Sequence, residues 1–298
     1  MKYCNKIARL YRHLMAIGVL AWLPVLAFGQ ALSTPPEQCS VLTTIRPLTL
    51  LVRPLVADLC EVRELLPPSQ DPHHFSLTFA QRRLLDDADM VVAVGPGLEG
   101  ALTRVLARRD PRTVVIWQPE MGADSGHVHT SADPHIWLDP IEAMAFADRI
   151  TGKLALLMPD QAAKIEQRRK ALEASVKGLD QSLKSRLSGF SGQRYIADHQ
   201  AYGRFSDRYG LVAAGYVNDA GGVSHGARTF ARLSAVEGGA CVIVERAPGS
   251  PQAQRLAERL HLRVVVIDPL GAGIDPDQGY VLFIDQIARG FERCLSGR

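Results

Sequence analysis

Residues 160–187 read DQAAKIEQRRKALEASVKGLDQSLKSRL, and the architecture turns on them. The run holds one glycine, no proline after its start, and many Ala, Leu, Lys, Glu and Gln, all good helix formers. At 1.5 Å per residue it predicts a helix about 40 Å long. That exceeds what one small domain needs, but it suits a spine joining two lobes. Residues 140–158 continue the same helical character toward the N-terminus. Pro159 marks a break between the two stretches, and Asp160 is expected to cap the second. The chain thus divides into a first lobe at 31–139, a linking helical region at 140–188 and a second lobe at 189–298.

On either side of this spine, strand and helix patterns alternate. In the first lobe, strands are expected at 41–45, 61–66, 90–94 and 113–117, with helices at 47–57, 78–87 and 98–108. In the second, strands are expected at 195–197, 211–217, 241–244 and 263–267, with helices near 201–208, 226–236, 251–260 and 278–293. Alternation of this kind predicts parallel sheets with crossover helices. The fold class is therefore α/β: two lobes, each a parallel sheet flanked by helices, joined by one long rigid helix. No sequence repeat relates the lobes. A cleft between them is the natural place for a small ligand.

Composition narrows the function. The 298 residues are 47% hydrophobic and 22% charged, as in ordinary globular proteins. Aromatics make up only 6%, too few for a base-stacking surface. Residues 1–13 carry Lys2, Lys6, Arg9 and Arg12 and no acid, an apolar run follows over 14–28, and small residues stand at Ala27, Gly29 and Ala31. This is the pattern of a secretory signal peptide, with 1–30 removed on export to the periplasm. The apolar run is short for a membrane anchor and is interrupted by Pro24. No Leu-x-x-Cys lipobox closes it. Loss of the segment removes four basic residues and no acidic one, so a formal charge of +3 becomes −1. The mature chain has no basic excess to suggest a nucleic-acid partner.

Four cysteines remain after the signal: Cys39, Cys60, Cys241 and Cys294. They permit three pairings or none, since buried free thiols are the alternative. Sequence proximity and an oxidising compartment favour Cys39–Cys60 and Cys241–Cys294, one staple in each half.

Three segments carry the chemistry: Asp71-Pro72-His73-His74-Phe75, Asp133-Pro134-His135-Ile136-Trp137 and Asp198-His199-Gln200-Ala201-Tyr202. A lone histidine is usually structural. Here His73 follows the second strand of the first lobe, His199 follows the first strand of the second, and His135 lies at the junction. Asp268 follows the last strand. In open α/β sheets, ligands sit where strands end. If the lobes face each other across those ends, all four residues reach the cleft. Three neutral imidazoles and a carboxylate suit tetrahedral zinc.

These motifs, in this order, resemble those of the metal-specific solute-binding proteins of bacterial ABC importers, the zinc and manganese family. Asp71-Pro72-His73-His74-Phe75 with Leu77 is similar to the family's first ligand motif. His135-Ile136-Trp137-Leu138-Asp139-Pro140 is similar to its second, and His199-Gln200-Ala201-Tyr202 with Phe205 and Gly210 to its third. Glu245 and Asp268-Pro269-Leu270-Gly271 fall where the family carries a Glu-Pro motif and an Asp-centred motif. The resemblance spans roughly 39–298. It implies metal held between two lobes and delivered to an ABC permease membrane subunit, and it makes His73, His135 and His199 the ligands with Asp268 as the fourth.

The chain departs from the pattern in two places. Pro72 stands where some zinc members carry Glu, and Arg246 follows Glu245 where proline is usual. Glu245 is therefore expected either to orient an imidazole or to serve as a buried ion-pair partner. Manganese members resemble a site with an acid at position 199. A histidine there favours Zn²⁺, because Mn²⁺ prefers harder oxygen donors. His127 and His129, in Gly126-His127-Val128-His129-Thr130, form either a weak secondary metal loop or a solvated polar one, and His225 and His261 read as structural.

The expected protein is a monomeric periplasmic carrier of Zn²⁺, with a permease and a periplasmic metallochaperone as its candidate partners. The rival readings are a manganese carrier, a metal-dependent adhesin and a zinc hydrolase. For the hydrolase, no His-Glu-x-x-His run, Gly-x-Ser-x-Gly elbow or P-loop is present.

Overall fold

The computed structural model describes residues 39–117, 133–219 and 226–296. The segment 1–30 expected to be a signal peptide, the loop bearing His127 and His129, and His225 lie outside the described residues.

The first sheet consists of β1 (Cys39–Thr43), β2 (Cys60–Glu64), β3 (Met90–Ala93) and β4 (Val114–Ile116), all parallel in the order β2-β1-β3-β4. The second consists of β5 (Arg194–His199), β6 (Val212–Asn218), β7 (Gly239–Val244) and β8 (Arg263–Val266), all parallel in the order β6-β5-β7-β8. The two orders are the same plan used twice, although the sequence shows no repeat. In each sheet the direction of winding reverses once, between β1 and β3 and between β5 and β7. Such a switch point opens a crevice at the carboxyl ends of the strands.

Helices α1 (Arg46–Val56), α2 (Phe79–Asp87) and the short α3 (Thr103–Leu106) make the first set of crossovers. Helix α2 begins at a capping box in which Thr78 and Gln81 satisfy each other's backbone N–H groups. The helix predicted at 98–108 is much shorter than expected. A 3₁₀ turn at Gly100–Leu102 leads into only four α-helical residues. The side chain of Glu99, just before it, is committed to the sheet (described below), which fixes where the helix can start.

The spine consists of α4 (Pro140–Leu157) and α5 (Ala162–Leu187), separated by a 3₁₀ turn at Pro159–Gln161. Asp139 caps α4 by accepting from Ile141 N and Glu142 N. Asp160 does not cap α5. It lies inside the 3₁₀ turn, and Gln161 takes the N-cap position without a side-chain bond. Proline at the first position of that turn tightens the connection, which moves the helix start past Asp160.

In the second lobe, α6 (Gly203–Tyr209), α7 (Gly226–Leu233), α8 (Pro251–Leu260) and α9 (Gly279–Leu295) cover the sheet. Disulfides Cys39–Cys60 and Cys241–Cys294 form as expected, the first tying β1 to β2 and the second β7 to α9.

One hydrophobic core runs through both lobes. It includes Val41 and Leu48 of the first, Ile165, Val176 and Leu187 of α5, and Tyr195, Phe283 and Phe291 of the second. The outer face of the second sheet has its own small core, in which Ile196 and Val242 meet Leu233, Ala253 and Leu256. Hydrogen bonds stitch the lobes together: Arg46 Nη1 donates to Ile274 O (2.7 Å), Trp137 Nε1 to Pro269 O (2.7 Å) and Tyr280 OH to Trp137 O (2.7 Å). The amphipathic spine thus serves as part of the interior rather than as a tether.

Candidate metal centre

His73, His135 and His199 converge between the lobes, each offering a ring nitrogen within 4.8 Å of the others. Ring centroids are 5.3 Å apart for His73–His135, 5.3 Å for His73–His199 and 4.9 Å for His135–His199. Among the described residues this is the group of His, Cys, Asp or Glu side chains arranged to hold a metal ion.

The three arrive by different local routes. His73 sits in the loop that leaves β2 for α2, where Asp71 Oδ1 accepts its backbone N–H at 2.8 Å. His135 is held in the same way, its N–H donating to Asp133 Oδ1 at 3.0 Å. Both are Asx-type turns, in which a short carboxylate caps the backbone two residues on. The two Asp-Pro-His motifs are therefore turn-forming devices as well as histidine carriers. His199 is the last residue of β5, at the switch point of the second sheet.

The carboxylates set the imidazoles' tautomers. Asp133 Oδ1 lies 2.7 Å from His135 Nδ1, and Glu245 Oε1 lies 2.6 Å from His199 Nδ1. Each carboxylate accepts the Nδ1 proton, which leaves the Nε2 lone pair facing the cluster and makes it more basic. Gly203 makes room for Asp133, since a Cβ there would stand 2.8 Å from Asp133 Oδ2. His73 has a different neighbour: Asp71 Oδ2 turns to His74 Nδ1 at 3.2 Å. His135 is buried with an edge contact to Trp137, and His73 is partly exposed.

His73 Nε2 and His135 Nε2 are 3.3 Å apart. Two ligands on a tetrahedral ion with Zn–N bonds of about 2.05 Å would be separated by about 3.3 Å. The pair therefore already has the spacing of two corners of a zinc tetrahedron.

The electrostatics favour a neutral, metal-ready His73. Burial, together with repulsion from His135 and His199, pushes the His73 pKa down to about 4, so His73 is unprotonated at neutral pH. For Glu245 burial acts to raise the pKa, but the hydrogen bond from His199 and the neighbouring imidazoles outweigh it and hold the carboxyl below its usual range. The negative charge that orients His199 is thus kept inside the protein.

Asp268 does not join the cluster. Its carboxylate accepts the backbone N–H groups of Leu270 (2.8 Å) and Ala272 (2.5 Å) and shapes the loop after β8. Asp198 is committed as well, accepting from Asn218 Nδ2, Ser250 N and Ser250 Oγ. Sequence reasoning missed Asp133 as the partner of His135, although its position two residues before the histidine was the available signal. It also missed Arg246, whose Nη1 reaches across the cleft to Ser69 O at 2.9 Å.

Comparison with known proteins agrees with this geometry. Residues 41–294 match the family described as "ZnuA: Zinc-uptake complex component A periplasmic". The high-affinity zinc uptake system protein ZnuA of Yersinia pestis is 27% identical, the match covering 92% of this chain and 98% of that protein. In fold, the chain is similar to a crystal structure of ZnuA (TM-score 0.75, 23% identity, covering 87% of this chain and 99% of the other). It is equally similar to the periplasmic zinc-binding protein TroA of Treponema pallidum (TM-score 0.75, 20% identity, 87% and 99% covered). With the family signature running from the first sheet through α9, and three imidazoles meeting where the two sheets end, this chain belongs to the periplasmic zinc-uptake complex component A family.

Proposed function

We propose that this protein captures Zn²⁺ between its lobes in the periplasm and hands it to the membrane permease of an ABC importer, acting as a monomeric carrier and not as a catalyst. The observation that supports this most strongly is the convergence of His73, His135 and His199, with nitrogens within 4.8 Å of one another. Each would supply one neutral nitrogen, and Asp133 and Glu245 would orient two of them. Asp268 would then act as a loop brace, with a non-protein donor completing the tetrahedron. Three nitrogens favour Zn²⁺ over Mn²⁺, which seeks more oxygen donors and higher coordination. Export with removal of residues 1–30 belongs to this reading, as does a docking surface for the permease.

The test is a competitive titration of the metal-stripped mature chain against a chromophoric chelator, with Zn²⁺ and Mn²⁺ in parallel. The expected result is one tight Zn²⁺ equivalent and much weaker Mn²⁺ binding. Tighter Mn²⁺ would overturn the choice of metal. The lack of a tight equivalent of either would overturn the carrier reading and leave adhesion as its alternative.

A further inference from the structure

The cluster opens on a cavity of about 390 Å³, lined by His73, His135 and His199 together with Asn218, Arg246 and Ser250. An ion bonded at about 2 Å needs none of that volume. The size falls instead at the lower end of small-molecule sites, about 300–1,000 Å³.

We propose that zinc is carried as a ternary complex, its fourth position filled by a small carboxylate chelator of amino-acid or hydroxy-acid size that also contacts Arg246. This deepens the zinc reading and rests on it.

The neighbouring carboxylates are all engaged within the protein. Asp133 and Glu245 hold imidazoles, Asp71 closes its own turn, Asp198 accepts from Asn218 and from Ser250, the N-cap of α8, and Asp268 binds its own loop. Three neutral imidazoles leave the full 2+ charge on the ion, so an anionic fourth donor gains most from it. Among the described residues that line the cavity, Arg246 is the one Lys or Arg side chain. It is exposed, and one of its guanidinium nitrogens is used on Ser69 O. A guanidinium carries five N–H donors in a planar fork that matches a carboxylate. A ligand with one donor on the metal and a carboxylate on this fork would join two groups that line the same cavity. Asp71, Asp198 and Glu245 oppose an anion, but each is partly offset by the hydrogen bonds it accepts, and the doubly charged ion lies closer to the fourth donor.

The experiment is equilibrium dialysis of the zinc-loaded mature chain against labelled malate, citrate and histidine in turn, with protein-bound zinc measured in the same samples. Wild-type protein is expected to retain one equivalent of at least one acid, only when zinc is present and without losing the zinc. Arg246→Gln is expected to weaken that retention about tenfold or more, the loss of one charge-assisted contact. Zinc bound at one equivalent with no acid retained would overturn the ternary complex alone. So would equal retention by wild type and Arg246→Gln, or loss of zinc to the acids. Failure to bind zinc at all would overturn the carrier reading, and this inference with it.

Discussion

In the first lobe, the crevice between the ends of β1 and β3 is filled by Glu99, which is buried and accepts from Thr44 Oγ1, Val94 N (3.3 Å) and Gly95 N (2.7 Å). In the second, the matching crevice between β5 and β7 holds His199 against Glu245 and opens on the cavity. The strand order, and hence the switch point, is the same in both. Both crevices contain a glutamate, but in opposite electrostatic settings. Burial, only partly countered by its hydrogen bonds, raises the Glu99 pKa to about 7. Glu245 is held below the usual range by the imidazole it orients. A crevice at a switch point is therefore an opportunity that side chains either close or use. The first lobe closes its own and contributes His73 and His135 to the cluster from its loops.

The most severe way to break this contrast is to remove the ligand at the second crevice. His199→Ala should lower zinc affinity by well over the 10–100-fold expected for an outer partner. Chelator competition at pH 7 checks this, and a change of only a few-fold would show that His199 does not bind the ion. Next come Glu245→Gln and Asp133→Asn, each expected to cost about 10–100-fold by loosening a correctly placed imidazole. Similar losses in the two would mean that the brace matters more than the lobe supplying it. Asp268→Ala should cost less than either in the same titration, because its bonds are to Leu270 and Ala272.

Glu99→Gln should leave zinc affinity least changed and instead alter how stability depends on pH. The raised pKa of Glu99 gives stability that is present in full below pH 4.5 and lost as pH rises to about 7. His73, lowered from 6.5 to about 4, gives stability present above pH 6.5 and lost as pH falls toward 4. The two slopes oppose each other between pH 4.5 and 6.5. Removing the Glu99 titration should make the stability of the metal-free variant, relative to wild type, climb with pH across that window. The limit is about 1.4 kcal/mol per pH unit for one proton. Urea unfolding at pH 5, 6 and 7 measures it, and parallel curves would mean that Glu99 is not protonated in the folded state.

Much of this was legible in the sequence because it rests on local rules. The strands at 90–94 and 241–244 are short apolar runs bounded by breakers or polar residues, and Met90–Ala93 and Gly239–Val244 lie close to those limits. The histidine motifs stood out because two of them repeat Asp-Pro-His. What escaped depends on contacts between distant residues. Nothing near Asp268 in sequence shows that its carboxylate turns onto its own loop instead of toward the cleft. Nothing near Arg246 shows that it will meet Ser69. The shortened helix after residue 98 depends on Glu99 being drawn into the end of a sheet whose other strand lies more than fifty residues away.

The shared core has a consequence for how the cargo leaves. Because α5 and residues of both lobes are packed into one interior, prising the lobes apart would expose the apolar surface they share to water, and each buried apolar group exposed adds to the cost. A shared interior favours unloading by a sequence of departures over a wide opening. The imidazole best placed to go first is His73, which rides on the loop at 65–78 and is partly exposed. If the three imidazoles hold the ion, a transporter that pulled on this loop would leave it on two nitrogens, and the loop between β2 and α2 would serve as a tab by which the cargo is peeled away.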